Sequence, residues 1–292
     1  MSVTWQDGEL CSSLSSHLLV QDISDIMEEP MAFGGYADIY RARYRGEPVV
    51  LKRLRIFEGS DKSRELKRFI AEAQIWQTLD HGNILPLIGI YCKTPTSFPL
   101  MVSPLMSRGD IHKAMRDLNE MREYIPYDRW IQEIAHGIRY LHSEAVIHGD
   151  LRGANILIDE DLHVRLADFG LACYVGVSTA SLGSRSSGAA RWAAPELMCS
   201  ESDIVKPTFA CDIYSFGSVC VEIYTHRVPY AECPREPQVI ARIQKGIKPL
   251  RPDGVTGKRM SDGLWDIIQR CWRSEPNHRP AAEELVSALE YL

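Results

Sequence analysis

The sequence has no paired cysteine motif. Its eight cysteines, Cys11, Cys92, Cys173, Cys199, Cys211, Cys220, Cys233 and Cys271, are scattered and form no CxxC pair. Disulfide frameworks and zinc sites need closer spacing, so free thiols in a reducing compartment are expected. A run of about 18 apolar residues, the least a membrane helix needs, occurs nowhere. The apolar stretch from Phe216 to Tyr224 is too short and holds Glu222. Nor does a basic segment lead into an apolar one at the N-terminus, where Trp5, Asp7 and Glu9 intervene. Without a signal peptide or membrane span, the cytoplasm is the expected location. Positive charge is not in excess either: 33 basic against 39 acidic residues give a net charge of -6. That balance speaks against general nucleic-acid binding and against a membrane surface. No internal repeat is present.

What the sequence has is ordinary globular material, 45% hydrophobic and 25% charged over 292 residues. This length suggests two compact domains with a sizeable core. Residues 1–17 are polar, with Ser12, Ser13, Ser15 and Ser16 close together, and read as a loose leader. Residues 18–103 read as strand-rich with one strong helix. Ile39-Tyr40 and Val49-Val50-Leu51 favour strands, and Arg45-Gly46-Glu47-Pro48 between them reads as the turn of a hairpin. The helix is expected near Arg64 to Leu79, where Leu66, Phe69, Ile70, Ala73, Ile75 and Trp76 form one apolar face. Residues 104–292 turn mainly helical. Trp130, Ile131, Ile134, Ala135, Ile138 and Leu141 form a stripe at helical spacing. Ile156-Leu157-Ile158 and Val164-Arg165-Leu166 read as a short strand pair. Tyr174 to Ala190 is a long Ser- and Gly-rich loop, the kind that carries function. The last helix is expected to begin at Pro280. A small strand-rich lobe and a larger helical one would leave a cleft between them, a natural ligand site.

Five groups along this chain could serve phosphoryl transfer, which needs a phosphate cradle, cations and an oriented hydroxyl. Ala32-Phe33-Gly34-Gly35-Tyr36-Ala37-Asp38-Ile39 could let backbone N–H groups approach phosphate oxygens. Taken alone it is an ordinary hairpin turn. Lys52 closes an apolar strand and could equally face solvent. Glu72 sits beside the helix's apolar stripe, where it could pair with Lys52 and hold the ammonium against the α- and β-phosphates. Helix acids are more often solvated. In His148-Gly149-Asp150-Leu151-Arg152-Gly153-Ala154-Asn155, Asp150 could accept the proton of an attacking hydroxyl and Asn155 could hold a metal ion. Asp168, in Ala167-Asp168-Phe169-Gly170, could bind Mg²⁺, which takes few protein oxygens when phosphates supply the rest.

Each group has a bland reading, but their occurrence in this order resembles the protein-kinase signature. Ala194-Pro195-Glu196 resembles the motif that closes the activation segment, and Asp212-Ile213-Tyr214-Ser215-Phe216-Gly217 the helix that anchors the catalytic loop. Arg279 matches the arginine that pairs with Glu196. Gly188-Ala189-Ala190-Arg191-Trp192 and Cys271-Trp272 look most like the tyrosine-kinase-like group, whose members mostly phosphorylate serine and threonine. The resemblance runs from about Leu18 to the end. It implies an α+β, bilobal fold: a small antiparallel β-sheet lobe with one key helix, and a larger mainly helical lobe. It also implies ATP and Mg²⁺ as cofactors and a protein as substrate. Asp150, Lys52, Glu72 and Arg152 would be catalytic, with Asn155 and Asp168 on the metal. ATP would meet Ala32, Gly34, Gly35, Ala37, Ile39, Val50, Lys52, Ser103, Leu105, Met106 and Leu157. Pro104-Leu105-Met106 would be the hinge, and Ser103 the small residue guarding a back pocket. His148, Phe169 and Trp76 would stack as a hydrophobic spine.

Some positions depart from the family pattern. Ala32 and Ala37 stand where the glycine-rich loop has glycines, so positive φ and close phosphate approach are penalised there and ATP affinity should suffer. Gly149 stands where many members carry an arginine that receives a phosphorylated activation loop. Activity is therefore expected not to depend on phosphorylation of Ser178, Thr179, Ser181, Ser184, Ser186 or Ser187. Ala189 replaces a threonine that braces the catalytic aspartate, and Arg152 replaces a lysine. The segment from Asp150 to Asn155 leans toward tyrosine kinases, whereas Arg191-Trp192 leans toward serine/threonine kinases. A serine/threonine kinase is the expectation. The alternatives are a tyrosine or dual-specificity kinase and a pseudokinase scaffold.

Overall fold

A computed structural model describes residues 18–33, 37–55, 62–94, 98–174, 189–198, 207–254 and 258–292. The leader, Gly34, Gly35 and the six hydroxyls of the long loop lie outside the described residues. The chain divides into two compact units. One comprises Met1–Asp80 with Leu85–Leu105, the other His81–Ile84 with Met106–Leu292.

The first unit is built on an antiparallel sheet of β1 (Ile23–Ser24), β2 (Ala32–Phe33), β3 (Ala37–Tyr44), β4 (Glu47–Leu54), β5 (Gly89–Tyr91) and β6 (Leu100–Pro104). The order is β1-β3-β4-β6-β5, and β2 also pairs with β3. The β3–β4 hairpin is tighter than expected. Glu47 and Pro48 belong to the strand, opposite Tyr44 and Arg43, so only Arg45 and Gly46 form the loop. Their φ angles of 50° and 87° suit the primed turn whose twist matches that of the strands. Ala32 and Ala37 both lie in strands, in extended backbone. The penalty expected at positive φ therefore does not arise at either. Alternation along β4 sends Val49 and Leu51 into a core with Tyr40, Ala42 and Val102, which puts Val50 and Lys52 on the other face. Helix α1 (Lys62–Trp76) ends a turn earlier than expected and buries Leu66, Phe69, Ala73, Ile75 and Trp76.

The second unit contains six of the seven helices among the described residues: α2 (Ile111–Met121), α3 (Tyr127–Ser143), α4 (Phe209–Thr225), α5 (Glu236–Gln244), α6 (Asp262–Cys271) and α7 (Ala282–Glu290). The stripe on α3 is buried from Trp130 to Leu141. Two short antiparallel pairs make up this unit's strands among the described residues: β7 (Val146–Ile147) pairs with β10 (Cys173–Tyr174), and β8 (Ile156–Ile158) with β9 (Val164–Leu166). Helix α7 begins at Ala282 rather than Pro280, because Ala281, the cap residue, is still extended. Among the described residues no helix is long and apolar enough to cross a membrane.

Candidate active site

In the first unit the β4 register sets Lys52 between Ile39 and Met101, in the middle of the sheet. Its Nζ donates to Glu72 Oε1 at 2.6 Å. Glu72 is buried although it is an acid, because it lies between Phe69 and Trp76 on the inward stripe of α1. Of the other expected nucleotide contacts here, Ala37 and Ser103 are buried, and Ile39 and Val50 are half-buried. Leu105 donates its N–H to Pro48 O. Met106 is the first residue of the second unit's larger segment.

In the second unit the sequence from His148 to Asn155 is a loop closed by a single 3₁₀ turn, Gly153–Asn155. Asn155 Nδ2 donates to Asp150 O at 2.8 Å and to Asp150 Oδ2 at 3.1 Å, so the two residues form one locked pair. Burial pushes the Asp150 carboxyl above its ordinary value. The Arg152 charge opposes that shift and the neighbouring Asp168 adds to it. Asp168 has φ 66°, a left-handed conformation that aspartate adopts more readily than most residues and that clusters at functional sites. The rings of Phe169 and His148 lie 5.4 Å apart. Asp150 N–H donates to His148 Nδ1, so His148 Nε2 is the nitrogen that donates to Ala167 O. Leu157 is half-buried in β8.

The loop is held from outside by carboxylates of α4. Asp212 accepts from His148 N at 2.9 Å, Gly149 N at 3.0 Å and His142 Nε2 at 2.9 Å. Burial opposes its ionisation, yet the His142 hydrogen bond and the nearby histidines hold its pKa below the ordinary value. Gly149 has φ 79°, and a Cβ there would lie 2.8 Å from Leu171 O. The second anchor, Glu222, was not singled out from the sequence. Its Oε2 accepts from Gly153 N at 2.9 Å and from Trp192 Nε1 at 2.7 Å. Its signal was an acid inside the apolar run of α4, since a buried charge must be paired. Further along, Arg279 donates to both oxygens of Glu196, at 2.7 and 2.8 Å. The guanidinium of Arg152 lies 5.1 Å over the Trp192 ring.

A divalent cation fits the donor set of this second unit. Asn155 spends its amide N–H groups on Asp150, and its Oδ1 accepts from no described residue. Asp168 lies near enough to raise the pKa of Asp150, and two carboxylates so placed favour a cation between them.

A lysine–glutamate pair in one unit and an aspartate–asparagine loop with a second aspartate in the other are the parts list of a protein-kinase catalytic domain. The chain belongs to the protein tyrosine and serine/threonine kinase family, whose profile matches residues 26–289. It is similar to the Arabidopsis thaliana serine/threonine-protein kinase STY17, 28% identical over 91% of this chain and 44% of that protein. It is 30% identical to the Arabidopsis serine/threonine/tyrosine-protein kinase HT1, over 89% of this chain and 64% of that one. The probable serine/threonine-protein kinase drkD of Dictyostelium discoideum is also 30% identical, over 88% of this chain and 19% of the relative. The chain thus spans less than two thirds of the length of each.

Proposed function

We propose that this chain is an active protein kinase that transfers the γ-phosphate of Mg·ATP to a serine or threonine hydroxyl of a protein. The observation that carries the proposal is the Asp150–Asn155 pair: a half-buried carboxylate with a raised pKa, fixed in orientation, as a base for a hydroxyl proton must be. In this reading Asp150 orients the hydroxyl and takes its proton. Lys52, held straight by Glu72, steadies the α- and β-phosphates. Arg152, stacked on Trp192, keeps a positive charge beside Asp150. Asn155 and Asp168 would hold Mg²⁺. When bound, that ion neutralises phosphate charge and aligns the transferred group. The names of STY17 and drkD favour serine/threonine, while that of HT1 keeps tyrosine as an arm of the test.

The test is transfer of labelled phosphate from ATP with Mg²⁺ to casein and to the chain itself, with Asp168→Asn alongside and phosphoamino-acid analysis of the product. Label on serine or threonine that falls by about a thousandfold in the variant is expected, because electrostatic positioning supplies most of the rate. Label on tyrosine alone would overturn the specificity. No label from folded protein would overturn catalysis and leave a binding scaffold.

A further inference from the structure

His112 lies on α2, outside the loop, the strand lysine and the helix glutamate. Its Nε2 is 2.8 Å from Glu222 Oε1. Glu222 is fully buried, and its other oxygen is already shared between Gly153 N–H of the catalytic loop and the Trp192 indole. One carboxylate therefore joins three segments: α2, the loop carrying Asp150, and the segment before Ala194-Pro195-Glu196. Trp192 passes the connection on, since Arg152 stacks on its ring and Ser215 Oγ donates to its carbonyl.

Position 153 fits this link closely. A Cβ on Gly153 would sit 2.5 Å from His112 Nε2 and 2.9 Å from both Cδ and Oε1 of Glu222. The imidazole–carboxylate bond thus occupies the space an alanine side chain would need. Gly153 has no other evident reason to be glycine, because its φ is not positive.

We propose that His112 is a positioning residue for phosphoryl transfer: it orients Glu222, and Glu222 fixes the Asp150–Asn155 loop to the Trp192 segment. This rests on the kinase reading above. The groups facing the imidazole are Glu222 from α4, Asp110 and Arg116 from its own element, and His226 just beyond α4. The Glu222 hydrogen bond outweighs burial and holds the imidazolium to higher pH than usual. A histidine whose pKa is raised on folding contributes fully below its unfolded value, and that contribution fades as pH rises through the folded one. The charged link is therefore complete below the ordinary histidine value of 6.5 and is lost as pH rises through the higher folded value.

Two measurements on the intact chain test this. In the first, kcat and KM are followed from pH 6 to 9 for the native chain, His112→Ala, His112→Gln and Gly153→Ala. His112→Ala is expected to lower kcat tenfold to a hundredfold with little change in the KM for ATP, the usual penalty for a small misplacement. His112→Gln keeps a donor without a titrating charge, so it should recover most of the rate and lose the alkaline inflection. Gly153→Ala should match His112→Ala, and the double variant should be no worse than either, because both break one link. The second measurement follows the Trp192 indole N–H resonance against pH, assigned with Trp192→Phe. It is expected to titrate in the native chain and to stand still in His112→Gln. Additive losses, an unchanged alkaline limb in His112→Gln, or a loss of melting temperature without loss of kcat would each overturn the proposal. If the native chain transfers no phosphate, the kinase reading fails, and the indole titration alone decides whether the link exists. If His112→Ala does not fold, His112→Gln carries both measurements.

Discussion

The two units hold their reactive charges by different physical means. In the strand-rich unit, Lys52 is placed by the sheet: every residue of β4 has a partner in β3, and Lys52 also has one in β6. The ion pair to Glu72 then orients its ammonium. In the helical unit, Asp150 sits in a loop with almost no backbone ladder of its own. Its position is imposed by two buried carboxylates nearly three turns apart on α4, Asp212 and Glu222. A ladder spreads positional information over many weak bonds. A buried acid concentrates it in one side chain, so single substitutions should hurt the second unit's stability more than the first's.

The sharpest way to break that contrast is Asp212→Ala. It leaves His148 N–H, Gly149 N–H and His142 Nε2 without their acceptor in a buried setting. A stability loss of about 3–5 kcal/mol is expected, near the upper end for a point change. Chemical denaturation would check it, and a loss under about 1 kcal/mol would mean that the loop holds itself. The pH dependence has a definite sign. A carboxyl whose pKa is depressed on folding contributes above its ordinary value of 3.8 and loses that contribution as pH falls through the folded value. Asp212→Asn should therefore flatten the acid limb of the stability profile below about pH 4 while leaving the neutral region sloped as before.

Glu72→Gln probes the other side. Here the ladder survives, so the melting temperature should move by only a few degrees while phosphate transfer falls by about a hundredfold. That split between activity and stability is what separates a functional ion pair from a structural one. Equal losses of both in Glu72→Gln would place the two units in the same class.

The same contrast explains what could be read in advance. The apolar stripes of α1 and α3 and the alternation of β4 were legible because periodicity is a local property of sequence. The motifs that hold Lys52, Asp150, Asn155 and Asp168 are equally short and local, and the expected Lys52–Glu72 pair is present. The hairpin turn came out two residues too long because Pro48 looked like a turn former, yet it sits at the start of a strand where its ring is tolerated. The role of Glu222 was hidden for another reason. Its partners are far away in sequence, at positions 112, 153 and 192, and only folding brings them together. Ala32 and Ala37 depart from expectation on one point, the backbone. A residue-type comparison marks them as lost glycines, but the strands they occupy ask nothing special of φ.

Gly149 gives the smallest expected effect and the finest distinction. From the sequence it reads as an arginine lost, with its phosphate-receiving function lost too. In the fold it is a residue at φ 79° pressed against Leu171 O and tied to Asp212 through its N–H. Any side chain there must bear the left-handed backbone and push that carbonyl away. Gly149→Ala should therefore cost about 1–2 kcal/mol, the penalty of a β-carbon in this region. Gly149→Arg should cost at least as much and restore no response to loop phosphorylation unless the Leu171 carbonyl moves. Thermal denaturation of the two variants beside the native chain decides the matter. If alanine is neutral, the glycine is an erosion of the family pattern. If it is destabilising by the expected amount, the loop's course around Asp150 depends on a residue without a side chain as firmly as on the carboxylate that holds it.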